Sequence, residues 1–128
     1  MSQPMSSKFS IVFSCALLLL ALPARQAFGH AYPAVSIPNN GATVKEPPRE
    51  LRIQFTEAVE VAFSQITVKG VNGEIVSQGK LRQLANDMLA IDLKSLSPGN
   101  YSVEWQVLSV DTHVTDGMLH FTVGAPAK

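Results

Sequence analysis

The stretch "YSVEWQV", Tyr101 to Val107, alternates apolar and polar residues without a break. Successive side chains of a strand point to opposite faces, so Tyr101, Val103, Trp105 and Val107 share one face, and that face belongs in a core. Trp105, in the middle of the run, reads as the core aromatic of a sandwich. Outward from this segment the same period of two recurs in "LHFTV" (Leu119–Val123), "LAIDL" (Leu89–Leu93) and "LRIQF" (Leu51–Phe55). Shorter candidates are Ala34–Ile37, the β-branched run Phe63–Val68, and Glu74–Ser77. Turn residues separate them: "PNNG" at Pro38–Gly41, "EPP" at Glu46–Pro48, "KGVNG" at Lys69–Gly73, "SPGN" at Ser97–Asn100 and "TDG" at Thr115–Gly117, where Asp116 reads as serving the turn. About seven short strands at this spacing predict an all-β fold, an immunoglobulin-like antiparallel β-sandwich with Greek-key connections. No segment demands a helix. Gly79–Leu89 reads equally as a short helical turn or as a strand with a loop.

The first residues read as a different kind of segment. Lys8 precedes the apolar block "IVFSCALLLLAL", Ile11–Leu22, which is followed by a short polar stretch and "AFGH", Ala27–His30. A positive start, an apolar run of about 7 to 15 residues and small residues at a cut describe a secretory signal peptide. The run is also shorter than the roughly 20 residues of a membrane-spanning helix. The expected organisation is a removed leader, residues 1–29, and one domain, residues 30–128. Ala27 and Gly29 fill the small-residue positions, which makes His30 the first mature residue. A cut after Ala24 reads almost as well, with Leu22 as the less favourable small residue.

Cleavage leaves the 99 residues His30–Lys128, enough for a single core. Lys8 and Arg25 leave with the leader, so eight basic residues face ten acidic ones and the net charge is −2. That balance argues against nucleic acid and anionic membrane as partners, and the cleaved chain keeps no direct membrane anchor. The single cysteine, Cys15, lies in the leader. The mature domain therefore holds together by packing, and any metal it binds meets N, O or thioether donors.

Those donors collect in "SVDTHVTDG", Ser109–Gly117. In an extended segment Asp111 and His113, two apart, project to one side and are able to share one metal ion. By itself such a triplet more often marks a solvated pair. An N-terminal His30 adds an α-amine and an imidazole that close a chelate ring. With Asp111 and His113 the set becomes three nitrogens and one oxygen, which suits tetragonal Cu(II) better than tetrahedral zinc.

His30, "IQFTEAVE" (Ile53–Glu60), "LSPGNYSVEWQVLSVDTHVTDG" (Leu96–Gly117) and "FTV" (Phe121–Val123) together resemble the CopC family of periplasmic copper-binding proteins. The likeness covers essentially all of the mature chain. It implies a seven-stranded sandwich with one Cu(II) bound through the amine and ring of His30, Asp111 and His113. It adds Glu57, of "FTE", as a weak axial donor or a carboxylate beside the ligands. Val114 stands where relatives commonly carry proline, and Asp116-Gly117 where they carry Thr-Gly, so the loop differs while the ligands remain. Some relatives also hold Cu(I) with a methionine-rich segment. Here Met88 and Met118 are isolated and read as gap-filling or surface residues, and His120, alternating with Leu119 and Phe121, reads as outward and solvated.

The function expected from all this is a non-enzymatic Cu(II) carrier or buffer of the periplasm, serving copper homeostasis or resistance. The resemblance implies an inner-membrane copper transporter of the CopD type as its partner. A metal-independent immunoglobulin-like interaction module is the main alternative. A copper monooxygenase is the other, though a domain of this size with one Trp offers little substrate face.

Overall fold

The computed structural model describes residue 2 and residues 30–125. The expected leader, residue 2 apart, lies outside the described residues. Eight strands follow one another: β1 (Pro33–Ile37), β2 (Thr43–Val44), β3 (Glu50–Phe55), β4 (Val59–Lys69), β5 (Ser77–Ala85), β6 (Met88–Leu93), β7 (Gly99–Ser109) and β8 (Val114–Val123). They form two four-stranded sheets, ordered β1-β3-β6-β5 and β2-β8-β7-β4. The connections β5–β6 and β7–β8 stay within a sheet, whereas the others cross between sheets.

The alternation of Tyr101–Val107 extends along β7: Tyr101, Val103, Trp105 and Val107 are buried, and so is Ser109, the next position on the same face. Leu51, Ile53 and Phe55 of β3, and Leu89, Ile91 and Leu93 of β6, supply the opposing layer. Phe55 meets Trp105 edge-on across the core, with ring centroids 5.7 Å apart. Outward-facing charges on the other sheet pair with one another, Arg82 with Glu50 and Asp92, and Arg52 with Glu50. Met118 and His120 point outward from β8 and are exposed.

Several details differ from the expectation. There are eight strands rather than about seven, because two residues, Thr43 and Val44, pair with Thr122 and Val123. That pairing is parallel, so one of the two sheets is mixed. Glu74–Ser77 is no strand of its own: Ile75 makes an isolated bridge to Lys69, and Ser77 opens β5. Gly79–Leu89 resolves into β5, a turn at Asn86-Asp87 and the start of β6, and no helix occurs among the described residues.

"TDG" is not a turn. Asp116 and Gly117 lie within β8, opposite Gln106 and Trp105. Gly117 is there because the Trp105 indole occupies the space of a side chain; a Cβ would stand 2.7 Å from Trp105 Cζ2. The hairpin turns earlier, at Val110–His113, on the candidate ligands themselves.

Candidate metal centre

The β7–β8 turn has neither glycine nor proline; backbone hydrogen bonds and one unusual residue hold it. The Ser109 N–H donates to the His113 carbonyl at 2.9 Å, and the Thr112 N–H to the Ser109 carbonyl at 2.9 Å. Thr112 sits at φ +72°, in the left-handed region that β-branched residues rarely enter. Such a conformation costs on the order of 1–3 kcal/mol and persists where its surroundings enforce it. Asp111 and His113 therefore do not share a face of an extended strand, as their spacing suggested. A tight turn brings them together instead.

His113 Nδ1 lies 3.2 Å from Asp111 Oδ1. The same oxygen accepts a hydrogen bond from the buried Ser109 hydroxyl, and the His113 backbone N–H approaches it at 3.3 Å. The Ser109 hydroxyl, chiefly, holds the Asp111 carboxyl below the usual carboxylate range; His113 adds to the effect and burial opposes it. Asp111 is thus a carboxylate. Its side chain is only 14% exposed, and Oδ2 is buried without a hydrogen-bond partner among the described residues. A buried anionic oxygen without a donor is costly unless a cation or a donor meets it.

The other end of the chain arrives at the same place. The His30 ring meets the His113 ring edge-on, with centroids 4.8 Å apart, and Tyr32 lies beyond His30 at 6.4 Å. Residues 30–32 are pinned from two sides. The Thr115 hydroxyl of β8 donates to the Ala31 carbonyl at 2.6 Å, in a fully buried contact. In the β3–β4 link, the Thr56 hydroxyl donates to the His30 carbonyl at 3.2 Å and accepts from the Tyr32 N–H at 3.0 Å; the Thr56 N–H donates to the Tyr32 carbonyl at 2.8 Å.

Glu57 occupies that link between Thr56, which holds the N-terminal segment, and Ala58, whose carbonyl accepts from the Val110 N–H at 3.1 Å. The backbone thus places Glu57 between the two halves of the cluster, half-buried. His120 faces another surface, bordering a shallow cavity with Val71, Asn100 and Thr122.

His30, His113 and Asp111 are linked in series, His30 to His113 and His113 to Asp111. No three His, Cys, Asp or Glu side chains among the described residues form a ready-made metal site. The donor chemistry nonetheless suits a borderline cation: two imidazoles and one carboxylate with an unpartnered oxygen. A third nitrogen is available only if His30 carries a free amine.

The residues that build this cluster without being candidate ligands, Ser109, Thr56 and Thr115, escaped the sequence reading. For Ser109 and Thr115 a signal exists. Each is a hydroxyl at an inward position of an alternating strand, where an apolar residue is the norm and a polar one needs a partner.

Fold and cluster define a class of protein: a small β-sandwich with a His-Asp-His group at one end, assembled from the start of the domain and a late hairpin. A family model described as the CopC domain matches residues 34–124. The chain belongs to the CopC family. It is 31% identical over 121 residues to protein YobA of Escherichia coli K12, covering 92% of this chain and 98% of that protein. It is 32% identical over 111 residues to the copper transport protein CutJ of Bacillus subtilis, where the match covers 84% of this chain but spans only 20% of that protein. Among solved structures, CopC from Methylosinus trichosporium OB3b superposes with a TM-score of 0.68 at 28% identity, covering 77% of this chain and 97% of that one. PcoC, a methionine-rich copper resistance protein from Escherichia coli, gives 0.65 at 26% identity, covering 74% and 99%. His30 lies outside the span of the family match.

Proposed function

We propose that this protein is a periplasmic Cu(II) carrier or buffer in copper homeostasis or resistance, exported by a leader that is cut before His30. The cargo ion is held by the amine and ring of His30, by Asp111 and by His113, with Glu57 beside it. One observation carries the reading: His30, from the start of the domain, packs against His113, whose neighbour Asp111 keeps a buried oxygen without a partner among the described residues. A surface histidine pair needs no such oxygen; a cation site does.

The family supports copper, since CutJ, PcoC and a CopC structure are among the relatives. In CutJ the matched region is part of a much longer transport protein. This supports a role beside copper-transport machinery, for which we propose a CopD-type inner-membrane transporter as the partner. Cu(II) is preferred to Cu(I) because the donors are nitrogen and carboxylate oxygen. Met118 is exposed on β8 and Met88 begins β6, so the two make no thioether cluster.

Titrating the processed protein with each oxidation state against a matched competitor tests the reading. One equivalent of tightly bound Cu(II), with Cu(I) much weaker, is expected. Equal, tight Cu(I) binding contradicts it.

A further inference from the structure

The inward face of β7 carries Tyr101, Val103, Trp105 and Val107, and then Ser109, which is 1% exposed. A hydroxyl so deep in a core needs hydrogen-bond partners. Ser109 has three: the Asp111 carboxylate, the His113 carbonyl oxygen at 3.1 Å as an alternative acceptor, and the His113 backbone N–H, which donates to it at 3.3 Å. The turn itself does not require that hydroxyl, because backbone bonds from Ser109 to His113 and from Thr112 to Ser109 already close it.

The bonding of the two Asp111 oxygens is one-sided. Oδ1 takes the Ser109 hydroxyl, the His113 ring nitrogen at 3.2 Å and the His113 backbone N–H at 3.3 Å. Oδ2 is buried and takes none among the described residues. A carboxylate free to turn about its Cβ–Cγ bond offers a metal either oxygen or both. Anchored on one side, it offers one.

We propose that Ser109 is a positioning residue that fixes Asp111 as a one-oxygen donor through Oδ2, and thereby favours copper over hard divalent ions. The inference rests on the copper reading above. A single oxygen beside nitrogen donors suits the low, tetragonal coordination of Cu(II). Two-oxygen binding raises the oxygen count and moves the site toward the six to eight oxygen ligands that calcium takes. Removing a group that orients a metal ligand typically weakens metal binding roughly 10- to 100-fold.

The test is Ser109→Ala in the processed protein, read by Cu(II) competition and by the copper EPR spectrum, with circular dichroism following the fold. Ser36→Ala, which removes another buried serine on β1, is the control. The expected result is a roughly 10- to 100-fold loss of Cu(II) affinity with altered EPR g and hyperfine values in S109A, and an unchanged copper spectrum in S36A. An S109A protein with the wild-type spectrum and affinity overturns the role of Ser109 and leaves the copper reading intact. A wild-type protein that binds no Cu(II) overturns the copper reading, and this proposal with it.

If S109A does not fold, the copper-loaded wild type decides. The infrared difference spectrum of protein labelled with carboxyl-13C aspartate separates one-oxygen from two-oxygen carboxylate binding. One-oxygen bands support the proposal; two-oxygen bands overturn it.

Discussion

Thr115→Val removes a single hydroxyl whose only bond among the described residues reaches across the molecule to Ala31. The hydroxyl donates at 2.6 Å to a carbonyl whose residue has no exposed surface, and Thr115 itself is 8% exposed. Valine keeps the shape and strands the carbonyl. An unsatisfied buried acceptor costs about 1–3 kcal/mol. The three hydrogen bonds to Thr56 still hold His30 and Tyr32 on the other side, so the segment stays attached at one edge. A loss of about 1–2 kcal/mol is therefore expected. It shows as lower stability of the metal-free protein while the segment stays docked, and as weaker copper binding where the segment lifts and takes His30 with it. Each 1.4 kcal/mol of that second share is about tenfold in affinity. Urea denaturation of the metal-free protein and Cu(II) competition on the same samples separate the two shares. A lower midpoint with Cu(II) affinity reduced about three- to tenfold is expected, and Thr115→Ser, which keeps the hydroxyl, should restore most of both. A valine variant that matches wild type in both measurements refutes the idea that Thr115 pins the N-terminal segment.

Gly117→Ala should destabilise by about 1–3 kcal/mol, because its Cβ meets the Trp105 ring at 2.7 Å; Trp105→Phe should relieve part of that cost, so that denaturant midpoints of the two variants and their double are non-additive. Acid should release copper before it unfolds the domain, since protons compete with metal for amine and imidazole nitrogens at higher pH than for carboxylates; EPR and circular dichroism in one titration check the order. The Asp111 pKa is lowered in the folded state, so its contribution to stability is complete above the unfolded carboxylate value near 3.9 and disappears as pH falls below it through the folded value. Asp111→Asn should therefore flatten the metal-free acid-unfolding curve below about pH 4 and leave its shape near neutrality unchanged. On the proposed site, His120→Ala should leave Cu(II) affinity unchanged while His113→Ala lowers it by at least tenfold, since even losing a group that orients a ligand costs roughly 10- to 100-fold; equal losses in a competition assay would place His120 in the site.

Much of the fold is legible in the sequence because the core strands are half-buried and alternate strictly. The face Tyr101–Val107 is as the pattern requires, and Trp105 is in the core. What escaped has physical reasons. β2 is too short to carry a period and exists only as a parallel contact with the end of β8. The Asp-Gly pair at 116–117 imitates a turn signal, but the glycine answers a steric demand from Trp105 across the sheet. The true turn lacks glycine and proline, since backbone hydrogen bonds and a left-handed threonine close it. The meeting of His30 with His113 is implied by the donor types alone, while Thr56 and Thr115, which arrange it, act through backbone carbonyls far away in sequence.

On the proposed reading, copper is held where His30, as first mature residue, meets the late hairpin. The most direct measurement compares the Cu(II) EPR spectrum and affinity of protein beginning at His30 with those of protein carrying one additional residue before it. Extension turns the amine into an amide, a poor ligand, so affinity should fall by at least tenfold and the spectrum should lose nitrogen character. Identical spectra and affinities from the two proteins would contradict the account.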